Sequence, residues 1–231
     1  MRQNLTITVI ARKGGVGKTT IAASLASIMA ARGNSTLLVD LDTQSSAASA
    51  LGADPLQFGA AAWLNGNNPT PQDVMPGLQL LAGGPDLEGI QRIDDHTLQS
   101  RLGSSSSKTI IFDTPASISN LTRTAMACSD VVLVVTEPHP LGLSGAASIL
   151  ESLRGSARRA LVSSRLDLRR SLHRTIADGI QEAFGGIGVF PVRHDAYLER
   201  AIAEGKPAAL ARKSRAVEDI EAIADWIGGL R

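Results

Sequence analysis

Residues 7–20 read Ile-Thr-Val-Ile-Ala-Arg-Lys-Gly-Gly-Val-Gly-Lys-Thr-Thr, and this stretch decides the fold. An apolar, β-branched run over residues 5–11 predicts a strand, the glycines predict a loop, and an alanine-rich helical pattern follows. Strand, glycine loop and helix in this order form the context of a phosphate-binding loop. Glycine lets the backbone turn its N–H groups toward an anion, and the helix N-terminus adds partial positive charge.

Two side chains complete the predicted phosphate site. Lys18 is placed to reach the β- and γ-phosphates of a nucleotide, and the Thr19 hydroxyl is placed to bind Mg²⁺. The common motif G-x-x-x-x-G-K-[ST] requires glycine at position 12, where this chain has Arg12. The strict pattern therefore fails, and Lys-Gly-Gly-x-Gly-Lys-Thr, with a second lysine at Lys13, stands in its place.

This variant resembles the deviant phosphate loop (deviant Walker A motif) of the ParA/MinD family of dimeric ATPases. The resemblance implies ATP and Mg²⁺ as cofactors, and two subunits that close into a homodimer on ATP. It implies that Lys13 crosses the interface to the partner subunit's nucleotide and acts in catalysis with Lys18. The nucleotide-binding residues that it implies are Lys13, Gly14, Gly15, Val16, Gly17, Lys18, Thr19 and Thr20.

Two further apolar runs end in carboxylates. The first ends in Asp40 and Asp42, and the second ends in Asp113. Because the carboxyl ends of parallel strands line the ligand crevice, we expect these acids beside the phosphate loop. Asp113 is expected to hold the Mg²⁺ shell through water. A purely structural alternative is that the first pair caps the next helix.

The segment 37–44 resembles the second nucleotide motif of the same family, with Thr43 in place of a proline. The resemblance implies that Asp42 orients the attacking water and that Asp40 lies near Mg²⁺, so the expected metal-side residues are Thr19, Asp40 and Asp113.

Strand and helix patterns alternate along the chain. They predict one α/β domain over residues 1–231, a doubly wound, mostly parallel sheet with helices on both faces. Residues 45–107 are the least readable part; residues 78–82 are compatible with a strand, residues 86–102 have helical spacing, and the aromatic residues Phe58 and Trp63 are expected in the core. The predicted strands lie near 5–11, 36–41, 109–113, 131–136, 158–163 and 188–192.

Arginine is concentrated in one segment. Residues 154–174 contain arginines at positions 154, 158, 159, 165, 169, 170 and 174 against a single acid, Asp167. Arginine suits phosphate oxygens through its planar fork of donors. By the family resemblance, Arg169, with Arg170 and Arg174 nearby, would contact the DNA backbone without reading sequence. The alternative is a solvated basic helix face.

Two more arginines are assigned by resemblance to motifs near the end of the chain. Arg215 matches the arginine of the family's Ser-Arg-Gly segment and joins the predicted DNA-binding set. Arg193, at the end of the last strand, is expected beside the adenine or in the DNA patch. His139 lies between two prolines and is expected to be structural, since this family needs no catalytic histidine.

Composition narrows the functional class. The net charge of +1 selects no partner, and the single Cys128 excludes an intrachain disulfide or a cysteine-pair iron–sulfur site. No stretch approaches the roughly 20 apolar residues that span a bilayer, and no secretion signal is evident, so a cytoplasmic protein is expected. The acidic C-terminal segment argues against a MinD-like lipid anchor.

The sequence therefore predicts a short ParA-type ATPase that associates with the nucleoid when ATP-bound. It would bind DNA nonspecifically, partition or position a cargo, and be released when a ParB-like or other cargo adaptor stimulates hydrolysis. The cargo stays open between a plasmid, a chromosome and a protein organelle such as a carboxysome. A MinD-like membrane-associated ATPase and a metabolic synthetase with the same loop remain as alternatives.

Overall fold

The computed structural model describes residues 4–90, 93–153, 155, 157–211 and 213–229. Strands and helices alternate along most of the chain, as the sequence predicts. The strands are β1 (Leu5–Ile10), β2 (Thr36–Asp40), β3 (Gln72–Met75), β4 (Leu78–Leu81), β5 (Thr109–Asp113), β6 (Val131–Thr136), β7 (Arg158–Leu166) and β8 (Gly188–Arg193). The α-helices are α1 (Lys18–Ala31), α2 (Ser46–Leu51), α3 (Ala60–Leu64), α4 (Asp95–Ser104), α5 (Asn120–Ala127), α6 (Pro140–Ser152), α7 (Ser171–Ala183), α8 (Ala196–Ala203) and α9 (Arg215–Gly228).

These strands form one sheet in the order β3-β4-β2-β5-β1-β6-β7-β8. The pairings are parallel except that of β3 with β4, which is antiparallel at the sheet edge. The β1 strand lies between β5 and β6, so the phosphate loop that follows it emerges at the middle of the carboxyl edge. The loops after β2 and β5 open at the same edge.

Alternate residues of the central strands pack on opposite faces of the sheet, as the period of two requires. On one face Ile7 and Val9 join the buried side chains of α1, α2 and α9. On the other face Ile110 and Phe112 pack against α3, α4 and α5, and Val132 packs near α6. The doubly wound architecture with helices on both faces is therefore confirmed.

The last helix follows its predicted pattern. Ser214 caps α9 by accepting a hydrogen bond from the Val217 N–H at 3.2 Å. Ile220, Ile223 and Ile227 are fully buried on the face that meets α1 and β8.

Three expectations for residues 45–107 need correction. The antiparallel strand β3 was not predicted, because Gln72–Met75 is only partly buried and has no apolar alternation. The helical spacing over 86–102 is split into a 3₁₀ turn at Pro85–Gly89 and helix α4, which Asp94 caps by accepting from Thr97 N–H; residues 91 and 92 lie outside the described residues. Trp63 is buried as expected, whereas Phe58 is 38% exposed.

Candidate functional site

The loop between β1 and α1 has the backbone of an anion cradle. Gly15 (φ 79°) and Gly17 (φ 88°) adopt left-handed conformations that other residues rarely tolerate. Helix α1 begins at Lys18 without a side-chain cap and without an acid in its first turn. In the described residues, neither a side-chain cap nor an acid of the first turn offsets the partial positive charge at the amino end of this helix, which is the arrangement that favours binding of an anion.

Ser164, which the sequence analysis did not single out, holds this loop in place. Its buried hydroxyl donates to the carbonyl oxygen of Val16 and lies 3.1 Å from the carbonyl oxygen of Thr136. It thereby joins the phosphate loop to β6 and β7. A serine inside a strand pattern carries no local signal of such a contact, since the contact spans 148 positions in sequence.

Lys18 and Asp113 form a buried ion pair. The Lys18 Nζ lies 2.8 Å from Asp113 Oδ1, and the two side chains are 9% and 0% exposed. The Thr19 hydroxyl, on the next residue, also acts to lower the pKa of the Asp113 carboxyl group. Burial nevertheless raises the pKa of Asp113 above its ordinary value, against the opposing effects of Lys18 and Thr19. Its second oxygen, Oδ2, is buried without a hydrogen-bond partner.

Asp40 lies one strand away, directly opposite Asp113 in the β2–β5 register. It is fully buried, and its two oxygens accept hydrogen bonds from Asp42 N–H at 2.9 Å and Ala47 N–H at 3.0 Å. Burial, followed by the charge of Asp113, raises the pKa of Asp40 to about 7. The Asp40 carboxylate therefore holds the loop after β2 in place. Its bond from Ala47 N–H lies in the first turn of α2, so Asp40 also has the helix-capping role that the sequence analysis gave as an alternative.

Asp42 is half-buried at the start of the same loop. Its Oδ1 accepts a hydrogen bond from Gln44 N–H at 3.1 Å, and its carbonyl oxygen accepts one from Ser45 N–H at 3.2 Å. Ser45 has a positive φ of 52°, so this turn is a strained one for a residue with a side chain.

The chemistry of this cluster fits a magnesium ion. Carboxylate and hydroxyl oxygens are ligands that Mg²⁺ accepts, usually together with waters and substrate phosphates. Thr19 follows Lys18, which is paired with Asp113; Asp40 lies opposite Asp113, and Asp113 has an orphaned buried oxygen. No group of three or more His, Cys, Asp or Glu side chains among the described residues could hold a metal by itself. A magnesium ion here would therefore need phosphate oxygens and water in its shell.

Among the residues that the structure describes, two cavities adjoin the phosphate loop. The larger, of about 950 Å³, is lined by Arg12 and Lys13 of the loop together with the ends of β6 and β7. Lys13 is exposed there. The smaller, of about 260 Å³, is lined by Gly17 and Thr20 on one side and by residues 192–203 on the other. The second cavity lies beside the loop and the start of α1, where a nucleotide's base could extend.

Arg193 lines the smaller cavity, but its guanidinium is paired with acidic side chains of α9. Its guanidinium donates to Asp219 at 2.7 Å and 2.8 Å, to Glu218 at 3.3 Å, and to the carbonyl oxygen of Arg215 at 3.1 Å. These contacts raise the pKa of Arg193 and hold the amino end of α9 against β8.

The predicted arginine cluster is divided between two ends of the sheet. Arg158 and Arg159 begin β7, whereas Arg165 lies near its carboxyl end, about 20 Å away at roughly 3.3 Å per residue. Arg159 is used within the fold, since it donates to the carbonyl oxygens of Leu150 and Leu153. Arg158 and Arg159 therefore do not lie beside Arg165, and Arg154 lies outside the described residues.

The remaining arginines lie in and after the loop that follows β7. The exposed Arg169 is paired with Asp167 through Nε at 2.8 Å and Nη2 at 3.0 Å, and this contact strongly lowers the pKa of Asp167. Arg174 donates to the carbonyl oxygen of Leu168 at 2.7 Å, and Arg170 lines the larger cavity. Arg215 is not in this loop; it begins α9.

His139 has a structural role in this arrangement. It precedes α6, and its Nδ1 accepts a hydrogen bond from Leu141 N–H at 3.3 Å.

None of the helices in the described part of the chain is both long enough and apolar enough to cross a bilayer.

The glycine loop, the buried lysine and the strand-end carboxylates define a nucleotide-binding domain of the phosphate-loop class. A family model described as "AAA domain" matches residues 4–165. A "ParA family protein" of Chlamydia pneumoniae is 30% identical over an alignment of 241 positions, gaps included, that covers 93% of each chain. This chain belongs to the ParA/MinD family.

Other relatives agree with this assignment. The chromosome-partitioning ATPase Soj of Thermus thermophilus is 37% identical over 147 residues, 62% of this chain and 58% of that protein, so the match spans less than two thirds of that relative's length. The crystal structure of a plasmid partition protein of Borrelia burgdorferi bound to AMPPNP superposes with a TM-score of 0.79 at 22% identity, covering 99% of this chain and 100% of that one. At that identity the likeness shows the fold.

Proposed function

We propose that this chain is a Mg²⁺-dependent ParA-type ATPase, with a single ATPase domain over residues 1–231, that dimerises on ATP and binds DNA nonspecifically to position a cargo. The observation that carries the proposal is the buried pair of Lys18 and Asp113 at the phosphate loop, with Asp40 opposite Asp113 and Thr19 next to Lys18 in the chain. Relatives that are named as chromosome-partitioning ATPases support the cellular role.

In the nucleotide site, the loop amides from residues 13–20 would bind the phosphates. Lys18, now paired with Asp113, would exchange that carboxylate for the β- and γ-phosphate oxygens. Thr19, Asp40 and Asp113 would hold Mg²⁺ directly or through water, and the ion, when bound, would neutralise phosphate charge. Asp42, half-buried on the adjacent loop, would orient the attacking water. Arg193 would border the base side by fixing β8 against α9 rather than by contacting the phosphates.

Lys13 would act between subunits. It is exposed and lines the larger cavity, so its ammonium group is available to a second protomer. A cation donated to the partner's nucleotide would stabilise charge on the transferring phosphate and make hydrolysis depend on dimerisation.

The DNA surface would consist of Arg169, Arg170, Arg174 and Arg215. Arg169 is the best placed, since its side chain is 86% exposed. Its present partner, Asp167, holds the guanidinium with two parallel contacts, the geometry in which a phosphate group would also bind. Closing two protomers would double the number of these cations on one particle and steepen the salt dependence of binding.

A cargo-bound, ParB-like adaptor that stimulates hydrolysis would then release the dimer, so that the protein cycles between the nucleoid and the cytoplasm. The identity of the cargo does not alter the chemistry of this cycle. A plasmid, a chromosome or a protein organelle could be moved by the same switch.

The proposal is tested by measuring binding to two unrelated DNA duplexes with Mg-ATP, with Mg-ADP and without nucleotide, at several salt concentrations. We expect ATP-dependent binding of similar affinity to both duplexes that weakens steeply with salt. Equal binding with ADP and ATP would exclude the switch. Flotation with anionic vesicles in place of DNA binding would favour the membrane-associated alternative.

A further inference from the structure

Gly83, two positions after the last residue of β4, lies against the loop that carries Asp42. The glycine is buried. A methyl group built on its Cα would collide with the carbonyl oxygen of Asp42, and would lie 3.1 Å from the Asp42 carbonyl carbon and 3.0 Å from the carbonyl oxygen of Asp40. All three atoms are backbone, so no side-chain rotation could relieve the contact.

The segment that contains Gly83 cannot retreat from this contact without cost, because it is held on its other side. The carbonyl oxygen of Ala82 accepts hydrogen bonds from Gly59 N–H at 3.0 Å and Ala60 N–H at 3.1 Å. The next glycine, Gly84, lies against the ring of Phe58, whose Cγ would be 2.6 Å from a methyl group at position 84. Residues 82–84 are thus clamped between the Phe58 segment and the Asp42 loop.

We propose that Gly83 is a positioning residue for Asp42, and that residues 82–84 support the loop that carries Asp42 by direct backbone contact. This inference rests on the proposed role of Asp42 in orienting water. Gly83 touches no substrate atom; it acts by leaving the space that the Asp42 carbonyl group occupies.

The expected effect follows from the geometry of the turn. The Asp42 carbonyl oxygen that faces Gly83 also accepts the Ser45 N–H at 3.2 Å, so a displacement would open the turn that sets the direction of the Asp42 side chain. A misplacement of about 1 Å in a catalytic group costs on the order of 100-fold in rate. The phosphate loop itself lies on a different strand and should keep its affinity for nucleotide.

The experiment compares Gly83→Ala with Gly89→Ala and Asp42→Ala. Gly89 is a matched control, because it lies six positions further along the same connection and a methyl group there meets no atom within 4 Å. Steady-state phosphate release at saturating ATP gives kcat, and titration with a fluorescent ATP analogue gives the nucleotide Kd. We expect Gly83→Ala to lower kcat by 10- to 100-fold with Kd changed less than about threefold, and Gly89→Ala to resemble the unaltered chain.

The outcomes separate the two proposals. If Asp42→Ala retains turnover, the proposed role of Asp42 fails. If Asp42→Ala loses turnover while Gly83→Ala keeps it, the role of Asp42 stands and the inference about Gly83 is overturned. A parallel loss of kcat and nucleotide affinity in Gly83→Ala would also overturn it, since that pattern marks general disruption.

Should Gly83→Ala not fold, hydrogen–deuterium exchange on the unaltered chain decides. Binding of a non-hydrolysable ATP analogue should protect residues 40–46 and residues 81–86 together, because the two segments are in backbone contact. Protection of residues 40–46 with no change in residues 81–86 would refute the inference that the second segment supports the Asp42 loop.

Discussion

Replacing Lys18 by methionine tests the buried ion pair at the centre of the site. The substitution keeps an unbranched apolar side chain and removes the cation that lies 2.8 Å from Asp113. Removal of one partner of a buried pair costs about 3–5 kcal/mol. Protonation of Asp113 sets an upper limit on this cost, because the variant can bury a neutral carboxyl group instead of a charged one. Protonating a carboxyl group of ordinary pKa 3.8 at pH 7 spans about 3.2 pH units, which is about 4.4 kcal/mol at about 1.36 kcal/mol per unit. We therefore expect the free energy of unfolding without nucleotide to fall by about 3–4 kcal/mol at pH 7.

The loss should depend on pH with a definite sign. Burial raises the pKa of Asp113, and Lys18 opposes that rise, so removing Lys18 raises the folded-state pKa further. The folded variant then retains a proton that the unfolded chain releases above pH 3.8. Between the unfolded and folded pKa values its stability falls by up to about 1.4 kcal/mol for each unit of rising pH. Because the pKa of Asp113 is already raised in the unaltered chain, that chain has the same slope up to its own folded-state pKa. The deficit of the variant should therefore grow with rising pH only between the folded-state pKa of the unaltered chain and the higher one of the variant.

Urea unfolding of nucleotide-free protein at pH 5, 6 and 7 measures both effects. Lys108→Met is the matched control, since Lys108 is an exposed lysine immediately before β5, the strand that ends in Asp113. It should change stability by less than about 0.5 kcal/mol at each pH. A Lys18→Met deficit that is absent at all three pH values, or that grows as the pH is lowered, would refute the role of Lys18 in stabilising the buried Asp113 carboxylate.

Three further predictions address the proposed cycle. Lys13→Ala should leave nucleotide binding to the monomer within about threefold but prevent the ATP-dependent rise in mass seen by light scattering; a normal dimer would remove Lys13 from the interface. Asp42→Ala should reduce phosphate release by at least 10-fold and accumulate an ATP-bound dimer, so unchanged turnover would exclude it from the mechanism. Arg169→Ala combined with Arg170→Ala should weaken binding to unrelated DNA sequences equally and lower the salt slope by about 1 per lost phosphate contact, whereas Arg158→Ala at the opposite end of β7 should not. Unchanged affinity of the double variant would move the DNA surface elsewhere.

The elements predicted from sequence are those whose signals are local. A glycine loop between an apolar strand and a helix is specified by consecutive residues, and each strand that ends in a carboxylate places its acid at the same sheet edge. Asp40 and Asp113 accordingly lie opposite one another in the β2–β5 register. The buried face of α9 could likewise be read from its helical period, because Val217, Ile220 and Ile227 recur at the expected spacing.

The features that escaped prediction depend on partners far away in sequence. Arg193 stands at a strand end, where an arginine often binds a ligand, yet its guanidinium is paired with Asp219 on α9, 26 positions away. Ser164 and Gly83 are ordinary strand and loop residues until the fold brings the phosphate loop and the Asp42 turn against them. The positions of the arginines at 158, 159 and 165 depend on the fold for the same reason. The nine-residue strand β7 places Arg158 and Arg165 near opposite ends of the strand, and a count of charges along the sequence cannot show this separation.

The most direct test of the account is a crystal structure of the Asp42→Ala chain with Mg-ATP. The account predicts a twofold dimer in which Lys18 has left Asp113 for the phosphates of its own nucleotide and Lys13 contacts the nucleotide bound by the opposite protomer. A monomer with Lys13 directed to its own subunit, and with the Lys18–Asp113 pair intact beside the nucleotide, would contradict it.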